Sequence, residues 1–128
     1  AHHWNPLKLM DEVTAGLTTK QRNSFIRKVE KELGIYSGNH LSNLRQLPDS
    51  IHTVLHQRLD KAFAAMTGKS LTNFKISFDP GKKGMDQRMD FMRQFKDVLE
   101  DEEAFIFSEM MKRAHPNSAW NTGLTAAT

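Results

Sequence analysis

Two segments of the chain carry apolar residues at the spacing of an amphipathic helix. Residues 18–33 begin with a Thr-x-x-Gln capping box, and residues 50–66 repeat an apolar side chain every fourth position. A glycine, Gly34 or Gly68, follows each segment and is typical of a helix end. The apolar positions are Phe25, Ile26, Val29 and Leu33 in the first segment and Ile51, Leu55, Leu59 and Phe63 in the second.

The rest of the pattern predicts shorter elements. Residues 73–78 alternate between apolar and polar side chains, which is typical of a strand that ends at the Asp-Pro-Gly turn. Residues 41–47 are short and mixed, and they fit either a strand or an extended loop. The other helices that we expect cover residues 7–15, 85–99 and 102–114.

These elements predict a mostly helical α+β fold, and a length of 128 residues suits a single domain over 1–128. The tail from residue 117 is polar, and we expect it to be frayed. There is no cysteine, which excludes disulfides and thiolate metal sites. No apolar run is long enough to span a bilayer, so we expect no membrane anchor. The first residues lack a signal-peptide pattern, so any export is expected to depend on something else.

Charge is distributed unevenly along the chain. Residues 1–96 hold sixteen Lys and Arg against nine Asp and Glu, whereas residues 97–128 hold two against six. A basic body fits a polyanionic ligand on one face, although solvated helix surfaces would give the same count. We interpret the acidic run over residues 97–103 as a solvated junction between two helices.

Four of the six histidines fall into two close groups. His52 and His56 are four residues apart on a predicted helix, so both imidazoles point to one side. Such a pair can share a divalent metal ion when a distant residue adds a third ligand. His2 and His3 are adjacent and would face opposite ways on an extended segment. Taken alone, this pair would also fit the remnant of an expression tag or a frayed terminus, and the helical pair would fit an ordinary helix surface.

The order and spacing of these residues resemble a known nuclease signature. Asn43, His52 and His56 form the pattern N-x8-H-x3-H, with Arg45 two residues after the Asn and a His-His pair upstream. This resembles the HNH nucleases of the ββα-metal type, including the colicin DNases. The opening Ala-His-His resembles the AHH branch of bacterial polymorphic toxin nucleases. The resemblance covers residues 1–3 and about 39–60, and the chain between them is longer than in colicins.

The resemblance implies a role for each matching residue. His3 would be the general base that activates water, and Asn43 would fix the loop and help to orient His3. Arg45 could contact a phosphate. A ββα-metal core with additional packed helices would hold one divalent ion (Mg, Mn, Ni or Zn). The ligands to that ion would be His2, His52 and His56.

The function that the resemblance implies is a metal-dependent endonuclease, acting on DNA rather than RNA. It further implies the toxic module of a secreted bacterial effector, delivered into a target cell and active in that cell's cytoplasm. An inhibiting immunity protein would be its partner. The family normally has chain before the His-His pair, which predicts that this sequence is a cleaved or trimmed product. Two alternatives stay open: a phage or restriction HNH nuclease, and a helical adaptor domain whose histidines are incidental.

Overall fold

A computed structural model describes residues 2–72 and 75–115. Most of the described chain is helical, and one two-stranded antiparallel sheet lies among the described elements. This confirms the predicted fold class at the level of a mostly helical α+β chain. The elements in order are β1 (His2–His3), α1 (Leu7–Val13), α2 (Thr19–Leu33), a 3-10 turn (Leu41–Asn43), β2 (Leu44–Arg45), α3 (Asp49–Thr67) and α4 (Gly81–Ala114).

Local signals set the ends of α2 and α3. The Thr18 side chain accepts the backbone N–H of Gln21, and the Gln21 side chain accepts the backbone N–H of Thr18, which completes the capping box. Gly34 and Gly68 follow the two helices with φ of 68° and 76°, in the left-handed region that favours glycine. Both helices therefore begin and end within one residue of the positions predicted from the sequence.

The hydrophobic core lies where α1, α2 and α3 pack against α4. Leu55, Leu59 and Phe63 of α3 are buried as the fourfold repeat predicts, and so are Phe25 and Val29 of α2. A second, smaller cluster joins the start of α3 to the later part of α4 through Ile51, Leu55 and Ile106. The main cluster consists of Leu9, Met10, Val13, Phe25, Val29, Ile35, Leu59, Phe63, Met89, Phe91, Met92, Phe95 and Leu99.

The strand predicted over residues 73–78 is wrong for the part of it that the structure describes. Residues 75–78 have no regular secondary structure, and residues 73–74 lie outside the described residues. The alternation is nevertheless real, because Ile76 and Phe78 are half-buried against the core while Lys75 and Ser77 are exposed. An extended segment that packs one face against the core alternates between apolar and polar residues even when no neighbouring strand pairs with it.

The two helices predicted over residues 85–99 and 102–114 form one helix of 34 residues, α4. Residues 85–114 contain no glycine or proline, so nothing in the backbone interrupts the helix at the acidic run. The expectation for the tail from residue 117 lies outside the described residues. Within the described part of the chain, no helix combines the length and the apolar character needed to cross a bilayer.

The core assignment predicts a specific loss of stability. Phe95→Ala should lower the free energy of unfolding by about 3–5 kcal/mol, because it leaves a cavity beside Phe63 where α4 packs against α3. The control is Phe107→Ala on the same helix, where the side chain is 63% exposed and the change should stay within about 0.5 kcal/mol. Urea denaturation followed by circular dichroism measures both, and equal effects would contradict this core.

Candidate metal centre

α3 presents two histidines on one side of the helix. Ile51 and Leu55 point into the core. The next residues along the helix, His52 and His56, therefore lie beside the buried face, where His52 is half-buried and His56 is exposed. Their ring centroids are 4.4 Å apart, and the two Nε2 atoms are 2.9 Å apart. Two ring nitrogens at that distance need a proton or a cation between them, because two lone pairs would repel each other.

The ribbon formed by β1 and β2 places His2 against this side of α3. Residue 2 pairs with Arg45 and residue 3 with Leu44, so the ribbon joins the start of the chain to the segment just before α3. The His2 ring centroid lies 5.2 Å from that of His52 and 5.7 Å from that of His56. One ligand atom from each of the three rings lies within 4.8 Å of the other two. The structure therefore brings together the three histidines that the resemblance assigns to a metal.

His2 is buried and holds a carboxylate that the sequence interpretation missed. The His2 Nε2–H donates to Glu102 Oε1 at 2.8 Å, and both side chains are less than 5% exposed. The interpretation of residues 97–103 as a solvated junction is therefore wrong at Glu102. The sequence does contain a signal for its burial, since position 102 continues the apolar spacing of Phe95, Leu99 and Ile106 along α4.

The surroundings of His56 favour its neutral form. Burial lowers the pKa of His56 from its ordinary 6.5, and the neighbouring His52 and His2 lower it further, while Glu102 acts in the opposite direction. A neutral imidazole has a free lone pair and is the form that binds a metal ion. The cluster therefore keeps His56 ready to act as a ligand at neutral pH.

His3 lines the same pocket as the three clustered histidines. The pocket has a volume of about 200 Å³, and Pro6, Leu7, Leu59 and Leu71 complete its lining. The His3 Nε2 lies 2.9 Å from Asn39 Oδ1, and an amide oxygen only accepts, so Nε2 carries the proton. The Nδ1 atom of His3 is then the nitrogen with a free lone pair.

Asn43 is fully buried and ties three stretches of backbone together. Its Oδ1 accepts the N–H of Asn5 at 2.6 Å, and its Nδ2 donates to the carbonyls of Asn5 and Gly38 at 3.1 and 3.0 Å. The Asn43 carbonyl accepts the N–H of Trp4 at 2.9 Å. Among the described contacts, its side chain bonds to backbone and not to the His3 ring, whose side-chain partner is Asn39. Any influence of Asn43 on the orientation of His3 therefore passes through the backbone that both residues share in the ribbon.

Arg45 lies outside the histidine pocket. Its Nε donates to Glu103 Oε2 at 3.1 Å, and its Nη1 donates to the carbonyls of Ser42 and Leu44. The guanidinium also sits over the Trp4 ring, 5.3 Å from the centroid. A phosphate would have to compete with these contacts, so the phosphate contact of Arg45 stays a prediction.

Comparison with models of known protein families, with curated proteins and with solved structures finds no match to this chain. The geometry of the site therefore stands without support from a relative. The sequence analysis assigned no role in the site to Asn5 or Asn39, and it placed Glu102 on a solvated surface. Asn5 lies in a bend and Asn39 in a turn, where an Asn is common in any protein. Only the folded structure shows that these two residues contact Asn43 and His3.

The buried amide of Asn43 makes a testable contribution to stability. Asn43→Ala should lower the free energy of unfolding by about 3 kcal/mol, because it leaves the buried backbone N–H and carbonyl of Asn5 and the half-buried carbonyl of Gly38 without this partner. Asn39→Ala is the matched control in the same loop, where the side chain is exposed and the change should stay within about 0.5 kcal/mol. If urea denaturation gave equal values for the two variants, Asn43 would not anchor the ribbon.

The pKa of His56 provides a second test in the metal-free protein. An NMR titration of the imidazole protons should give His56 a pKa below 6.5, and His52→Gln should move the pKa of His56 back part of the way. The return is partial because burial is the largest cause. A pKa of His56 above 6.5, or no response to His52→Gln, would contradict the described cluster.

Proposed function

We propose that this protein is a metal-dependent endonuclease of the HNH type that hydrolyses phosphodiester bonds. One observation carries the proposal: His2, from the first strand, lies beside His52 and His56, half the described chain away in sequence. A fourth histidine, His3, lines the same pocket. Hydrolysis of a phosphate ester with one metal ion needs a base to take a proton from water and a cation to stabilise the developing charge, and this pocket offers candidates for both.

The donor set fits a divalent first-row cation. Three imidazole nitrogens lie within 4.8 Å of one another. Donors bonded to one ion at about 2.1 Å are at most about 4.2 Å apart, so small ring rotations would bring all three onto one ion. Three protein ligands leave a coordination position for a substrate oxygen. When bound, such an ion supplies positive charge that stabilises the charge developing on the phosphate and the leaving oxygen.

His3 is the general base in this proposal. Its Nε2–H donates to Asn39 Oδ1, which fixes the ring and leaves Nδ1 free to accept a proton from water. The water becomes a stronger nucleophile as its proton moves to Nδ1 of His3. Because His3 lines the pocket beside His52 and His56, the attacking oxygen and the phosphate can meet within it.

The finer fold assignment belongs to the same proposal. The ribbon of β1 and β2 followed by α3 has the order of a ββα-metal core, with α1 and α2 between the two strands, and Asn43 directly precedes β2. α1, α2 and α4 would be the additional packed helices. Arg45, across the ribbon from His2, would contact a neighbouring phosphate of the substrate once its bond to Glu103 is exchanged.

The biological setting rests on the resemblance alone. We propose DNA as the substrate because the spacing from Asn43 to His56 is similar to that of the colicin DNases. By the same resemblance, the protein would be the toxin module of a secreted bacterial effector that acts in the cytoplasm of a target cell. An immunity protein would be its inhibitor.

Plasmid cleavage tests the proposed function. The protein should nick supercoiled plasmid with at least one of Mg²⁺, Mn²⁺, Ni²⁺ or Zn²⁺ and stop when a chelator is added. His3→Ala should lose about 10²- to 10⁴-fold in rate while it still binds the metal, because only the base is removed. His56→Ala should bind the metal more weakly, because a ligand is removed.

The control is His115→Ala, which changes an exposed histidine at the end of α4, outside the pocket, and should cut like the unchanged protein. If no metal supports cleavage and elemental analysis finds no bound metal, the helical adaptor is the better description. If His3→Ala and His56→Ala both bind metal and cut normally, the assigned roles are wrong even if the protein is a nuclease.

A further inference from the structure

We infer that Glu102 of α4 is a positioning residue of the metal site, which holds His2 through its Nε2–H and leaves the Nδ1 of His2 to face the cation. This inference rests on the proposed function, since it concerns the same cation. It adds a residue from a helix that the nuclease resemblance does not cover, and it assigns the ring nitrogen that His2 would use.

The geometry of the pair determines where the His2 proton lies. A carboxylate only accepts hydrogen bonds, so at 2.8 Å from Glu102 Oε1 the Nε2 of His2 must donate. A neutral imidazole with its proton on Nε2 has its lone pair on Nδ1. A carboxylate that bonds the far nitrogen of a metal-binding histidine fixes the tautomer and the ring orientation and makes the ring a stronger donor.

Burial makes this pairing strong and costly to break. Both side chains are less than 5% exposed, so water does not compete for the hydrogen bond. Glu102 Oε2 is also buried and has no hydrogen-bond partner among the described residues. A buried carboxylate with one unpaired oxygen is unfavourable by itself, and a nearby cation would offset that cost.

Glu102 acts through His2 and not as a ligand of its own. The converging donor atoms found among the described residues belong to His2, His52 and His56, and Glu102 is not a member of that group. The neighbouring carboxylate, Glu103, bonds Arg45 on the other strand of the ribbon. Consecutive residues of α4 thus hold the paired residues His2 and Arg45, which makes Glu103 a matched control.

Cobalt(II) binding tests the role of Glu102 without any nuclease assay. Glu102→Gln keeps the size of the side chain and removes its charge, so it should weaken cobalt(II) binding about 10- to 100-fold and change the visible spectrum of the bound ion. Glu103→Gln should leave affinity and spectrum unchanged. In a His2→Gln background, where His2 no longer offers a ligand, Glu102→Gln should cause no further loss.

The tautomer gives a second readout that needs neither metal nor substitution. In a ¹H–¹⁵N correlation spectrum of the metal-free protein, the imidazole of His2 should carry its proton on Nε2. A ring with its proton on Nδ1 and none on Nε2, unchanged cobalt(II) affinity in Glu102→Gln, or an equal loss in the His2→Gln background would each overturn the inference. If the unchanged protein binds no cobalt(II) or other divalent metal, the proposed function fails instead, and the tautomer still decides whether Glu102 holds His2.

Discussion

The site depends on keeping a two-residue strand at the start of the described chain against the middle of the molecule. A ribbon of two residues on each side makes too few hydrogen bonds to be stable alone. The buried amide of Asn43 supplies what the ribbon lacks, because it bonds the backbone on both sides of Asn5 and at Gly38. The Asn43 side chain therefore helps to keep His2 beside α3, together with the strand pairing itself.

α4 supports the ribbon from the other side. This helix extends from the main core to the ribbon, where the Leu99 carbonyl accepts the Trp4 indole N–H at 2.8 Å. One turn later, Glu102 and Glu103 reach the paired residues His2 and Arg45. An interruption of α4 near residue 100 would separate these contacts from the core. The continuity of the helix therefore matters to the site as well as to the fold.

Features encoded locally could be predicted from the sequence. The capping box and Gly34 set the ends of α2, and the spacing of His52 and His56 places both rings on one side of α3. The approach of His2 to that pair came from the resemblance and not from local pattern, because a contact across fifty residues has no local signature. The geometry agrees with that expectation, while the chemical roles stay proposals.

The two wrong predictions arose where the same sequence pattern is compatible with two different structural environments. The acidic residues of 97–103 suggested a solvated break, yet helical spacing places Glu102 on the same side of α4 as Leu99 and Ile106. The alternation over residues 75–78 suggested a strand, yet it reflects one face packed on the core beside an exposed one. In both cases the deciding factor was tertiary packing, which composition and period do not contain.

Anomalous X-ray diffraction from crystals soaked in cobalt(II) or zinc(II) tests the central claim most directly. The account predicts one strong peak about 2.0–2.2 Å from a ring nitrogen of each of His2, His52 and His56, with His3 nearby but unbound. A peak that touches only the two histidines of α3, or bound metal elsewhere with none between β1 and α3, would contradict it.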